Sequence, residues 1–176
     1  MSYNRRNFIK TSSLGAIAAS SLSINCQNNL SASSEGRYMG DFADKPIKKI
    51  RAAFIGLNRG GSHLRNFATI ENTEVVALSD LYEENVKREL ERLYQYNPNV
   101  NNVKTYWGDK NKWKVMLKEV RPDVVFISTN WNNHAPMAIQ SMIDGAHAFV
   151  EVPLAVTLEE MWDIVNTSEK TQKHCM

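Results

Sequence analysis

The chain is poor in cysteine and proline, has no long apolar run and carries no excess of one charge. Each shortage removes a class of protein. Two cysteines in 176 residues, Cys26 and Cys175, cannot build the disulfide framework of a small secreted scaffold. The apolar run 14–24 is about eleven residues long and rich in Ser and Ala, too short for a permanent membrane span. No other segment could cross a bilayer. The formal net charge of +2 comes from the first 25 residues, where Arg5, Arg6 and Lys10 face no acid. Without those three, 18 basic residues stand against 19 acidic ones, a net of −1, so no nucleic-acid partner is expected. What remains, 43% apolar and 23% charged residues, suits one domain with a real core and not two.

Residues 1–26 read as an export signal. Arg5-Arg6-Asn7-Phe8-Ile9-Lys10 is a twin-arginine pattern ahead of a short, weakly apolar run, so export to the periplasm is expected. A plain secretory leader with two chance arginines is the alternative, and the Phe-Ile-Lys after the pair argues against it. Cys26 follows Leu22-Ser-Ile-Asn25, a loose match to a lipoprotein cleavage site in which Asn25 is larger than the usual small residue. A lipid anchor at Cys26 and simple removal of the leader both stay open. Residues 27–46, rich in Asn, Ser, Gly and Asp and closed by Pro46, read as a flexible tether to a domain over 47–176. Cys175 reads as a buried strand thiol.

From Lys48 onward, strands and helices alternate. Strands are expected at 50–55, 74–79, 103–106, 124–128 and 147–151, and helices at 61–70, 83–95, 110–119, 135–144 and 157–171. On the second helix Val86, Leu90, Leu93 and Tyr94 share one face, while Glu83, Lys87 and Glu91 charge the other. Trp113, Met116 and Leu117 read as core. Val124-Val-Phe-Ile-Ser128 is apolar on both faces, as a central parallel strand must be. Thr157 with Glu160 three residues on makes a capping box. Alternating βα units of this length predict an α/β, doubly wound parallel sheet, with any ligand beyond the carboxyl ends of the strands where the strand order reverses.

The chemistry concentrates at those ends. The first strand runs into Gly56-Leu-Asn-Arg-Gly-Gly61, and the second ends on Asp80, 24 residues after Gly56. Strand, turn, helix, strand and acid in this order hold a dinucleotide. Gly56 permits the tight turn, a helix opening near Gly60 and Gly61 aims N–H groups at a pyrophosphate, and Asp80 accepts from the adenosine ribose. Asn58 stands where the G-x-G-x-x-G pattern has its second glycine, and a crossover without ligand is the plain alternative. A carboxylate at 80, with no base at Leu81 or Tyr82, favours NAD over NADP. Asp80 also suits a helix N-cap. Arg59 offers a phosphate a bidentate fork or is a solvated loop residue.

The loop Thr129-Asn-Trp-Asn-Asn-His134 falls where a nicotinamide or its ribose would lie. Asn133 is expected to cap the following helix with Pro136 in its first turn, and His134 is either a ligand contact or a packing residue. Glu151 would touch the nicotinamide ribose, a buried ion pair being the alternative. No metal-ligand set is expected.

Trp131-Asn-Asn-His-Ala-Pro-Met-Ala138, Ala146-His-Ala-Phe-Val-Glu-Val-Pro153 and Thr167-Ser-Glu-Lys-Thr-Gln-Lys-His-Cys-Met176 carry a resemblance. They resemble the oxidoreductase superfamily that includes glucose–fructose oxidoreductase and inositol dehydrogenase. Within it the chain is most similar to the NAD-dependent α-N-acetylgalactosaminidases, glycoside hydrolase family 109. The likeness covers roughly 48–176, and a twin-arginine leader is common in that group.

The resemblance implies a Rossmann-type domain with NAD contacts at Asn58, Arg59, Asp80, Trp131, Asn132, Asn133, His134, Glu151 and Val152. Dehydrogenases of the superfamily usually end the fifth strand with Glu-Lys-Pro, whose lysine moves a proton. Here Val152 stands in that position, and the glycosidases resemble this chain in carrying Glu-Val-Pro or a close variant. The implied activity is hydrolysis of terminal α-N-acetylgalactosamine by transient oxidation at C3, elimination and water addition, with NAD regenerated.

Members of the group are much longer and carry a second, β-rich domain that supplies the sugar pocket. The expectation is therefore a truncated cofactor domain that stops inside a sixth strand and is inactive alone. Its glycoside substrate would be reached through the missing domain, and its catalytic residues would lie outside this chain. A sugar or polyol dehydrogenase, and a non-catalytic exported NAD-binding domain, remain as alternatives, and an oligomer is open.

Overall fold

The computed structural model describes residues 38–176, so the twin-arginine leader, Cys26 and the first part of the tether lie outside the described residues. Strands and helices alternate as β1 (Ile50–Ile55), α1 (Leu57–Phe67), β2 (Thr73–Ser79), α2 (Glu83–Tyr96) and β3 (Lys104–Tyr106). They continue as α3 (Lys112–Val120), β4 (Val124–Ile127), α4 (Trp131–Ile143), β5 (His147–Val150) and α5 (Leu158–Thr171). The strands pair in parallel in the order β3-β2-β1-β4-β5, so the order reverses between β1 and β4. This is the doubly wound sheet that the alternation predicts.

Period-2 alternation divides each strand between two cores. Ala52 and Phe54 of β1 pack with Leu57, Leu64, Val86 and Leu93 from α1 and α2. Ala53 and Ile55 face the opposite core with Met116, Leu117, Ala138 and Met142 from α3 and α4. Thr157 caps α5 through both bonds of a capping box: Glu160 N–H donates to Thr157 Oγ1 at 3.1 Å, and Thr157 N–H donates to Glu160 Oε2 at 3.3 Å.

Two helices begin earlier than expected. α1 starts at Leu57, not near Gly61, because Leu57 is fully buried in the core and Gly56 turns the chain directly off the strand. Gly60 and Gly61 therefore sit inside the helix. A Cβ at Gly61 would lie 2.6 Å from Glu89 Oε2, so the glycine lets α1 and α2 approach. α4 starts at Trp131, with Asn130 and not Asn133 at its N-cap, and Pro136 falls in the second turn. Having no N–H, Pro136 leaves the exposed Asn132 carbonyl to water.

On α2 the expected apolar face shifts. Tyr94 is exposed, while Glu89 is buried and paired with Arg88 at 2.9 Å and Arg92 at 2.8 Å.

Part of the segment read as a tether is anchored. Asp44 bonds Lys173 Nζ at 2.9 Å and His147 Nε2 at 3.1 Å, and Lys173 above all holds its carboxyl far below the ordinary range. Residues 174–176 run parallel beside β5, with Ala148 N–H donating to His174 O and Met176 N–H to Ala148 O, both at 2.9 Å. Burial there pushes the Cys175 thiol up to about 11, which keeps it protonated and unreactive. Among the described residues no helix is long and apolar enough to cross a membrane.

Candidate functional site

The carboxyl ends of β1, β2 and β4 open into one cavity of about 540 Å³. Gly56, Asn58 and Arg59 form one wall, Asp80 a second, and Thr129, Asn130 and Asn133 a third. Asp80 and the loop before α4 thus face the same space.

Gly56 adopts φ +83°, and a Cβ on it would lie 2.5 Å from the Ser128 carbonyl oxygen. Only glycine allows β1 to turn so tightly against the end of β4. Its turn aims the N-terminus of α1 into the cavity, where the first-turn N–H groups have no intrahelical acceptor and the helix dipole is positive.

Asp80 binds that helix as well as the cavity. Its Oδ2 accepts from Leu57 N–H at 2.7 Å, and its Oδ1 from Tyr82 N–H at 3.0 Å and Asn85 Nδ2 at 3.1 Å. The N-cap of α2 is Tyr82, so the helix that Asp80 caps is α1, across the sheet. An ionised carboxylate has about four acceptor sites, so about one remains for an incoming hydroxyl.

The remaining expected residues lie around this cavity, not on its wall. His134 is buried beneath it, with Nδ1 2.7 Å from the Pro153 carbonyl and Nε2 3.1 Å from that of Thr129. It ties the loop after β4 to the loop after β5. Trp131 and Asn132 are exposed on the first turn of α4, and Val152 is 84% exposed. Glu151 lines an adjoining cleft of about 210 Å³ floored by Phe126 and Phe149, and Ser128 borders both spaces. Glu151 Oε1 accepts from His63 Nε2 at 2.7 Å and from Arg59 Nε at 3.3 Å. The His63 bond, more than any other contact, holds the Glu151 carboxyl below its ordinary value.

Asn85, Lys110, Trp113 and His63 are among the lining or contacting residues that sequence reading did not nominate for the site, although Trp113 was read as core and is buried there. Lys110 and Trp113 follow β3, whose carboxyl end the strand-end rule would have nominated. Asn85 lies one turn after Asp80. His63 carries no local signal, since its partner is 88 residues away.

A parallel sheet whose switch point presents a helix N-terminus and a strand-end carboxylate to one cleft defines a dinucleotide-binding domain. Residues 50–176 match the family described as an oxidoreductase family with an NAD-binding Rossmann fold, and the chain belongs to that family. It is 48% identical over 140 residues to glycosyl hydrolase family 109 protein 2 of Akkermansia muciniphila, covering 79% of this chain and 29% of that relative. It is 38% identical over 181 residues to an alpha-N-acetylgalactosaminidase of Shewanella oneidensis, covering 98% of this chain and 38% of that protein. The chain thus spans about a third of the length of these curated relatives.

Among solved structures, the WlbA dehydrogenase of Chromobacterium violaceum, in complex with NADH and UDP-GlcNAcA, superposes with a TM-score of 0.64 at 22% identity, over 76% of this chain and 36% of that one. Scyllo-inositol dehydrogenase of Lactobacillus casei, with NAD(H) and scyllo-inositol, gives 0.62 at 20% identity, over 73% and 36%. Both likenesses establish the fold. The residues present fit NAD: Asp80 takes the Leu57 N–H, the next N–H groups of the first turn would face the phosphates, a glycine would give them close approach, and Asp80 keeps an acceptor site for a ribose hydroxyl.

Proposed function

We propose that this chain is the NAD-binding part of a glycosidase that removes terminal α-N-acetylgalactosamine by transient oxidation at C3, elimination and water addition. The relatives named for glycosyl hydrolase family 109 support the substrate class. The observation that carries the choice of hydrolase over dehydrogenase is Val152, 84% exposed at the end of β5. It stands where the dehydrogenases of the superfamily resemble one another in having a proton-moving lysine, and a valine neither gives nor takes a proton.

NAD, when bound, supplies a reversible hydride acceptor. The chain's own residues bind and orient. The first-turn N–H groups at Asn58 and Arg59 would hold the pyrophosphate, and Asp80 an adenosine ribose hydroxyl. Asn130, Asn133 and Glu151 would border the other half of the dinucleotide. No residue of this chain is assigned a proton transfer on the sugar. The leader is read as twin-arginine export, a route for folded cargo, so NAD would be loaded before export.

Titration calorimetry with NAD and incubation with an aryl α-N-acetylgalactosaminide test this reading on the purified 176-residue chain. Saturable NAD binding without sugar release is expected. Released N-acetylgalactosamine would overturn the division of labour, NADH accumulating with free sugar would favour the dehydrogenase, and absence of heat with NAD would remove the cofactor.

A further inference from the structure

Glu151 ends β5 on the far side of the switch point from Asp80, and it is held from below. His63, in the second turn of α1, places Nε2 2.7 Å from Glu151 Oε1 and stacks its ring toward Phe126 at a centroid distance of 6.4 Å. An ionised carboxylate only accepts, so Nε2 carries the hydrogen. Arg59 reaches the same oxygen at 3.3 Å from a side chain 79% exposed, against 39% for His63. A long, solvated contact of that kind contributes little, so His63 sets the position of the carboxylate. Among the described residues Glu151 Oε2 accepts only from the Val152 N–H at 3.3 Å and retains acceptor capacity.

A dinucleotide lies across the switch point with one nucleotide over each half of the sheet. Asp80 marks the adenosine half, over β1 and β2, which leaves β4 and β5 for the other. Resting on the reading that NAD occupies this crevice, we propose that His63 is a positioning residue for the cofactor. Its Nε2–H pins Glu151 Oε1 so that Oε2 is presented to a hydroxyl of the nicotinamide ribose. The pair couples α1, which serves the phosphates, to the end of β5, which serves the nicotinamide side.

The test compares NAD with ADP, which lacks the nicotinamide ribose, by titration calorimetry on the full chain. The variants are His63→Phe, His63→Gln, Glu151→Ala and the double variant His63→Phe/Glu151→Ala. Phe keeps the ring beside Phe126 without the donor; Gln restores an N–H donor. His63→Phe is expected to weaken NAD about five- to tenfold and to leave ADP within about twofold. His63→Gln should recover most of the loss, and His63→Phe should cost nothing further in the Glu151→Ala background, where no acceptor is left at 151.

Equal losses for NAD and ADP, additive losses in the double variant, or no loss of NAD affinity would overturn the proposal. If the unmodified chain binds NAD no better than ADP, the proposal falls while the adenosine site stands. If it binds neither, the cofactor reading falls with it.

Discussion

Asp80→Asn removes one charge and exchanges an acceptor oxygen for an NH2 donor while keeping the side chain's shape. In the structure Oδ2 serves Leu57 N–H at 2.7 Å, and Oδ1 serves Tyr82 N–H at 3.0 Å and Asn85 Nδ2 at 3.1 Å. An amide has one oxygen. Whichever way it turns, either Leu57 N–H or the Tyr82 and Asn85 donors meet another N–H. An unsatisfied buried donor, or a lost bond to a charged group, costs about 1–3 kcal/mol. The site is only part-buried, so water compensates in part and about 1–2 kcal/mol is expected. For a domain of this size that lowers the melting temperature by about 3–8 °C. The same substitution removes the ionised acceptor for a ribose hydroxyl, which should weaken NAD about tenfold. Scanning fluorimetry reads the first effect and titration calorimetry the second. A melting temperature within about 1 °C of the unmodified chain, together with unchanged NAD affinity, would refute the dual role of this carboxylate.

Gly56→Ala forces a side chain into φ +83° with its Cβ 2.5 Å from the Ser128 carbonyl oxygen, so urea denaturation should show a loss of at least about 1 kcal/mol. An unchanged midpoint would mean that the turn is not strained. His147 is held neutral, its pKa lowered chiefly by burial from an ordinary 6.5, while its Nδ1 accepts from His174 N–H at 3.0 Å. The unfolded chain takes up a proton near 6.5 that the folded one resists, so stability should fall as pH drops below that value. His147→Gln should flatten that slope in urea midpoints taken above and below it. Val152→Lys, at a position 84% exposed, should leave stability within about 0.5 kcal/mol. A large loss would show that Val152 packs against something in solution.

Much of the fold was legible because the relevant signals are local. The short apolar runs at 50–55 and 124–127, the capping box at Thr157 and the acid after β2 depend on neighbours in sequence, and each appears where its pattern places it. The start of α1 was not, because Gly60 and Gly61 look like a turn until Glu89 of α2 packs against them. The start of α4 was hidden in the same way: Asn130 to Asn133 favour loops locally, yet the chain is helical from Trp131. In the site, Asp80 and Arg59 could be read from the βαβ order, whereas Asn58 breaks the glycine pattern and was named only through the family resemblance. The burial of His134 and the pairing of Glu151 with His63 depend on contacts between a helix and a loop or strand end distant in sequence, which no local pattern carries.

The claim on which the rest depends is that α1's first turn and Asp80 together grip a dinucleotide at the switch point. Amide NMR spectra of the chain titrated with NAD test it residue by residue. The account predicts saturable shifts at Asn58, Arg59, Asp80 and Thr129, with the amides of the strand starts near Ile50 and Thr73 unmoved. Shifts confined to those opposite ends of the sheet, or none at saturating NAD, would contradict it.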